Sequence, residues 1–169
     1  MSNCNITNEK LKQFMSFGKM PLANGFLKTK DLKKEKFYNL NVGFNEKISL
    51  FQILDIPKFS NIIYKDYPFF THKSKFMIKH FKDCAHWLKK NFLNYNSNLI
   101  EIGSNDGTML KNFKNKNVNV LGIDPSPNVA AYARKNGVKT YDIFFKSKNL
   151  NKLKKYHNNT KVIFAANVF

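Results

Sequence analysis

The sequence predicts an α/β protein: a small loop-and-strand module, a connector helix, then a parallel sheet of about four strands with helices on both faces. Residues 1–70 break short apolar pieces with Gly18, Pro21, Gly25, Gly43 and Pro57, the punctuation of short strands and turns. Residues 74–92 space apolar side chains three and four apart, as one face of a helix requires. Residues 97–169 alternate short apolar runs with helical stretches, the pattern of crossovers between parallel strands. The expected segments are therefore 1–70, 71–96 and 97–169.

In the first segment the apolar pieces are 14–17, 22–27, 37–44 and 49–54, and Phe14, Phe17, Phe26, Phe37, Phe44 and Phe51 are its expected core. The helix of 74–92 carries Phe76, Met77, His80, Phe81, Cys84, Trp87, Leu88 and Phe92 on its apolar face. His80 and Cys84 lie one turn apart, but with no further ligand cluster they read as packing rather than a metal half-site. Strands are expected at 99–103, 118–124, 138–145 and 161–168. Helices are expected at 107–114, 127–136 and 148–157, the second presenting Ala130, Ala131 and Ala133.

Composition narrows the function classes. The 169 residues are 43% hydrophobic and 15% aromatic, too apolar for a disordered chain. No uncharged run reaches the roughly 18 residues that cross a bilayer, and the start has no signal-peptide pattern, so a cytoplasmic protein with no membrane partner is expected. Cys4 and Cys84 alone build neither a disulfide framework nor a four-thiolate zinc site. The net charge of +18 invites a nucleic-acid partner, but of the 29 basic residues all except Arg134 are lysine. That lacks the guanidinium forks favoured for phosphate and base-edge recognition, and no specific nucleic-acid partner is expected.

The chemistry lies in Leu99-Ile100-Glu101-Ile102-Gly103-Ser104-Asn105-Asp106-Gly107, a strand running into a turn that opens a helix. Gly103 lets the chain leave the strand with unusual dihedrals, and Gly107 removes a Cβ where a ligand would approach. Asn105 tolerates positive φ where a third glycine often lies. Asp124, 21 residues after Gly103, ends the second strand, where a carboxylate accepts hydrogen bonds from both ribose hydroxyls of an adenosyl group. Pro125 stops the strand there. Glu101, before the glycine turn, suits a cationic amino-acid-bearing cofactor better than a pyrophosphate.

These strings resemble the S-adenosylmethionine-dependent C-methyltransferases of nucleotide-linked keto-deoxysugars. The residues carrying the resemblance are 101–107, 120–130, Phe144-Phe145 and Ala165-Ala166-Asn167-Val168-Phe169. Phe17-Gly18-Lys19-Met20-Pro21-Leu22-Ala23-Asn24-Gly25-Phe26-Leu27 is similar to that family's opening module, and Ser74-Lys75-Phe76-Met77 with His80-Phe81 to its connecting helix. The resemblance implies a partial Rossmann-like class I methyltransferase domain that binds S-adenosylmethionine. Glu101 would meet the methionine amino end, 103–107 with Ser104, Asn105 and Asp106 would approach the cofactor, Asp124 and Pro125 would hold the ribose, and Asn167 would line the reactive side.

The departures are equally informative. The family's opening module carries two Cys-x-x-Cys pairs that bind zinc; here they read Cys4-Asn5-Ile6-Thr7 and Asn45-Glu46-Lys47-Ile48, the latter before Ser49-Leu50-Phe51-Gln52. Cys4 is a solitary remnant, and a module that folds without zinc is expected. Residues 97–169 provide four strands of the family's seven, so the base and its helpers are expected beyond Phe169. Tyr67, in Tyr67-Pro68-Phe69-Phe70-Thr71-His72-Lys73-Ser74, is the catalytic candidate left, but Phe69 stands where the family commonly has a second Tyr, and a packed aromatic is the favoured reading of Tyr67. The leading expectation is an N-terminal portion of a sugar C-methyltransferase whose partner would be a nucleotide-linked sugar. The alternatives are a noncatalytic remnant that associates with itself or with a missing half through its sheet edge, a basic nucleic-acid binder, or a methyltransferase of another small molecule.

Overall fold

The computed structural model describes residues 2–23, 26–57, 66–114 and 117–168; part of the expected 22–27 piece, with Gly25, and the strand end at Phe169 lie outside the described residues. The chain divides into two units, Met1–Ile63 and Tyr64–Phe169.

The first unit holds strands β1 (Gln13–Pro21), β2 (Phe37–Asn45) and β3 (Leu50–Ile53), an antiparallel sheet in the order β1-β2-β3. Its buried apolar residues are Cys4, Leu11 and Val42, joined by polar Asn45 and Gln52. The expected phenylalanine core does not form: Phe14 is 64% exposed and Phe26 80%. Phe14 meets Phe51 edge-on at 6.0 Å and Phe44 at 6.5 Å, but these rings share an open face. Among the described residues of this unit no helix or second sheet covers β1, which is exposed along its length. A lone short sheet cannot bury both its faces.

The second unit opens with helix α1 (Lys75–Phe92), whose first turn is capped by the Ser74 hydroxyl accepting the Met77 N–H at 3.3 Å. Its buried stripe is Phe81, Ala85 and Leu88, with Met77 and Cys84 beside it. Phe76, Trp87 and Phe92, expected on that face, are more than half exposed. At about 100° per residue Phe76 and Trp87 point well over 90° away from the stripe's centre, whereas Phe92 is in line with it but is the helix's last residue.

Strands β4 (Asn98–Ile102), β5 (Asn119–Ile123), β6 (Thr140–Tyr141) and β7 (Thr160–Ala165) form a parallel sheet in the order β6-β5-β4-β7. Helix α2 (Pro127–Lys135) follows β5. β4 is buried throughout and its side chains alternate between two cores. Leu99 packs with α1, Phe113, Ala133 and Val138, whereas Ile100 packs with Leu121, Ile123 and Tyr156 on the other face. This is the mixed architecture the sequence predicts. Three elements differ. The expected helix 107–114 is a turn leading into a 3-10 segment at Leu110–Phe113, because the Thr108 N–H and hydroxyl bond Asp106 and compete with a first α-turn. The expected helix 148–157 is 3-10 over Ser147–Asn159, a lysine- and asparagine-rich stretch in which Tyr156 alone is buried. The expected strand 138–145 pairs at Thr140–Tyr141 only.

This order has a consequence for the site. The chain adds strands on one side of β4 and then returns with β7 on the other, so β4 is a topological switch point. Open parallel sheets bind ligands in the crevice at the carboxyl ends of such strands.

Candidate functional site

The turn at that switch point is 103–107. Gly103, Asn105 and Gly107 have φ of +68°, +48° and +75°, a sequence of left-handed residues in which asparagine replaces a glycine. The Gly103 and Ser104 N–H groups donate to the Ile123 carbonyl at 2.7 and 3.2 Å, fastening the turn to the end of β5. Asp124 completes the fastening: its Oδ2 accepts the Asn105 N–H at 2.8 Å and its Oδ1 the Ser126 N–H at 2.9 Å. The room expected for a ligand beside Gly107 is filled by the chain itself, since a Cβ there would lie 3.0 Å from Val138 Cβ. A Cβ on Gly103 would collide with the side chain of Val168. Neighbouring Asn167 is exposed with φ of +56°, and Pro125 is half-buried behind Asp124.

Glu101 points from β4 into the α1-facing core and is 4% exposed. Its Oε2 has no hydrogen-bond partner, nor has the buried Ser104 hydroxyl. Burial pushes the Glu101 carboxyl well above its ordinary value, and the charges of Asp106 and Asp124 push it the same way. Asp124 is also raised by burial, against the lowering effect of the Ser126 and Asn105 N–H groups and the Ser126 hydroxyl, with Asp106 adding to the rise. Burial, and then Glu101, raise the Cys84 thiol on α1. Among the described residues no lysine or arginine pairs with Glu101 or Asp124. The turn is thus ringed by carboxylates without a compensating cation.

Asn105 and Asp106 turn elsewhere. Asn105 Oδ1 accepts the Thr71 N–H and hydroxyl, both at 3.1 Å, and its Nδ2 donates to the Phe69 carbonyl at 3.0 Å. Asp106 Oδ2 accepts the His72 N–H at 2.8 Å and faces His72 Nδ1 at 2.7 Å. Its Oδ1 takes the Thr108 N–H at 3.1 Å and hydroxyl at 2.6 Å. These two side chains therefore strap residues 69–72 across the turn. Tyr67 is held by its backbone, its N–H donating to Asn128 Oδ1 at 3.0 Å and its carbonyl accepting from Asn128 Nδ2 at 2.8 Å. Sequence reasoning missed His72 and Tyr132, whose rings stack at 4.5 Å, with Tyr132 Oη 3.3 Å from His72 Nε2. They line a cleft of about 60 Å³ with Asp106, Thr108, Lys111 and Asn136. No local motif announces it, because His72 and Tyr132 lie 60 residues apart.

In the first unit Cys4 sits in a tight loop, where the Thr7 N–H reaches its sulfur at 3.4 Å. Hydrogen bonds from Thr7 lower the thiol to about 7, against burial. Asn45 Nδ2 donates to Thr7 Oγ1 at 3.0 Å, Asn45 Oδ1 accepts the Lys47 N–H at 3.1 Å, and the Lys47 ammonium pairs with Glu9. Gln52 ties the same loop to β3, accepting the Asn5 N–H at 2.9 Å and donating to the Asn3 carbonyl at 3.0 Å.

With this geometry in place, residues 76–169 match a family model described as "Methyltransferase domain", which is more than half of the chain. The chain belongs to the methyltransferase-domain family. A class I methyltransferase domain implies S-adenosylmethionine as its cofactor. Residues 4–62 match a second model, described as "Putative zinc binding domain". The residues present do not fit zinc: that span holds one thiol and no histidine, and among the described residues no three His, Cys, Asp or Glu groups converge. No curated protein matches the chain. Among solved structures the MccD protein is similar at 20% identity over 58% of this chain and 34% of that one, with a TM-score of 0.28. YjhP from E. coli is similar at 13% identity over 60% of this chain and 34% of that one, with a TM-score of 0.31. The chain's match spans about a third of the length of each. Among the described residues no helix is long and apolar enough to cross a membrane.

Proposed function

We propose that the methyltransferase domain binds S-adenosylmethionine at the 103–107 turn and serves the C-methylation of a nucleotide-linked keto-sugar. The observation that carries the cofactor is Glu101: a buried carboxyl with an unpartnered oxygen, raised first by its burial and then by Asp106 and Asp124, and among the described residues with no cation paired to it. Such an array is costly when empty and favourable around a positive ligand. S-adenosylmethionine carries a sulfonium and an ammonium group, and supplies an electrophilic methyl. Glu101 would face the amino end and the Asp124 carboxylate the ribose hydroxyls. Asn105 and Asp106 would act indirectly, by holding residues 69–72 over the turn. The sugar acceptor rests on the sequence resemblance of the strings around these residues.

Calorimetry tests the cofactor site. Asp124→Ala should weaken S-adenosylmethionine binding by about tenfold or more, the worth of one or two charge-assisted hydrogen bonds. Equal affinity of the two proteins would reject the role of Asp124, and no binding to the wild-type chain would reject the reading. The acceptor is tested by transfer of labelled methyl to a nucleotide-linked keto-deoxyhexose.

A further inference from the structure

A structural zinc ion does two things for a small sheet: it ties separate loops together and it balances the charge of its thiolates. The first unit is similar to a zinc-binding domain, yet it offers one thiol and no histidine, so both tasks fall to other groups. We infer that hydrogen bonds and one ion pair stand in the metal's place: Thr7, Glu9 and Asn45 join one another around Cys4, and the Lys47 ammonium is the cation of the centre. This is independent of the methyl-transfer reading.

Asn45 is the hub. It ends β2, is 5% exposed, and its amide spans two loops. Nδ2 donates to Thr7 Oγ1 at 3.0 Å and to Glu9 Oε2 at 3.5 Å, while Oδ1 accepts the Lys47 N–H at 3.1 Å. The loop it reaches is folded back on itself, since the Cys4 N–H donates to the Glu9 carbonyl at 2.8 Å and the Asn8 N–H to the Cys4 carbonyl at 2.9 Å. Within that loop the Thr7 N–H points at the Cys4 sulfur, and the Thr7 hydroxyl donates to Glu9 Oε2 at 3.2 Å. The Lys47 ammonium pairs with the other oxygen of Glu9. Bonds therefore run from the Cys4 sulfur through Thr7, Asn45 and Glu9 to the ammonium, joining residues 4–9 to residues 45–47 as a shared metal would.

The same donors close the centre to zinc. A tetrahedral site needs lone pairs aimed at one point, as thiolate, imidazole or carboxylate supplies. Thr7 and Asn45 instead turn an O–H and N–H bonds towards their neighbours. Glu9 is the one carboxylate of the set, and its hydrogen bond from Lys47 holds it below its ordinary value. That ammonium also repels a further cation. The Glu9–Lys47 pair is exposed and screened by salt, so the buried Asn45 carries most of the closure and Lys47 the charge balance.

Zinc uptake by the full chain tests this, because side chains that meet at one point become a metal site once they are thiols. Thr7→Cys combined with Asn45→Cys sets three thiols and Glu9 about that point. Equilibrium dialysis followed by metal analysis should then show one zinc per chain more than in wild type, and adding Cys4→Ser should abolish the gain. The wild-type chain should hold no zinc that Cys4→Ser removes. Lys47→Met should lower the urea midpoint of the β2 amides, followed by NMR, in dilute buffer, and lower it less in about 1 M salt, where screening acts within about 3 Å. Zinc held by the wild-type chain through Cys4 would overturn the proposal. So would a double variant that takes up no added zinc, folded or not, since thiols that converge bind the metal as the loop forms. A Lys47→Met midpoint equal to wild type in dilute buffer would overturn the role of Lys47 as the cation.

Discussion

Glu101 shows how much a single residue discloses when its neighbours are known. Its place before a glycine turn was legible in the sequence, and so was Asp124 at the end of the next strand. What could not be read was the commitment of Asn105 and Asp106, because their partners Thr71 and His72 lie 34 residues earlier and only the fold brings them together. The burial of Glu101 yields a signed pH dependence. In the unfolded chain it titrates near 4.5, and in the folded protein well above that. Above pH 4.5 the folded state therefore holds more protons than the unfolded state, so the cofactor-free protein loses stability as pH rises towards the folded value. The slope cannot exceed about 1.4 kcal/mol per pH unit for one group. Glu101→Gln has no proton to lose. Its melting temperature relative to wild type should therefore climb between pH 4.5 and 8, while its affinity for S-adenosylmethionine falls. A constant difference across that range would refute the assignment of the charge to Glu101.

At the level of elements, the parallel strands were legible because apolar runs alternated with breakers, and the helices between them were not. Asx and threonine bonding at Asp106–Thr108 turned one expected helix into a 3-10 segment, a competition invisible to periodicity. The antiparallel module was misread in its core: its phenylalanines line an open face, and a polar network closes the Cys4 loop. Gln52 is the informative position, since both ends of its amide bond the loop backbone. Gln52→Leu removes both bonds, to the Asn5 N–H and the Asn3 carbonyl, and should cost about 1–3 kcal/mol, the net worth of two hydrogen bonds. Urea unfolding of the variant measures this. A chelator should leave the midpoint of the wild-type module unmoved, and a drop with EDTA that zinc reverses would show that a metal, not the Thr7–Asn45 network, closes the loop.

Across the whole molecule, every hydrogen bond described to the 103–107 turn comes from within the second unit: from residues 69–72, Thr108, Lys111, Ile123 and Asp124. A ligand seated on the turn therefore stabilises first what those bonds already link. Binding to the folded state alone contributes about 2.7 kcal/mol at a concentration one hundred times the dissociation constant. Hydrogen exchange should register that at particular amides. The N–H groups of Asn105 and Ser126, which both donate to Asp124, should gain protection when S-adenosylmethionine is added, with those of Thr71 and His72 following through the strap. The amides of β1 and β2 should exchange as before. Protection that reached the strap but spared Asn105 and Ser126 would place the ligand in the His72 cleft instead of at Asp124. Protection at Asn105 and Ser126 without the strap would show that Asn105 and Asp106 do not transmit order to residues 69–72.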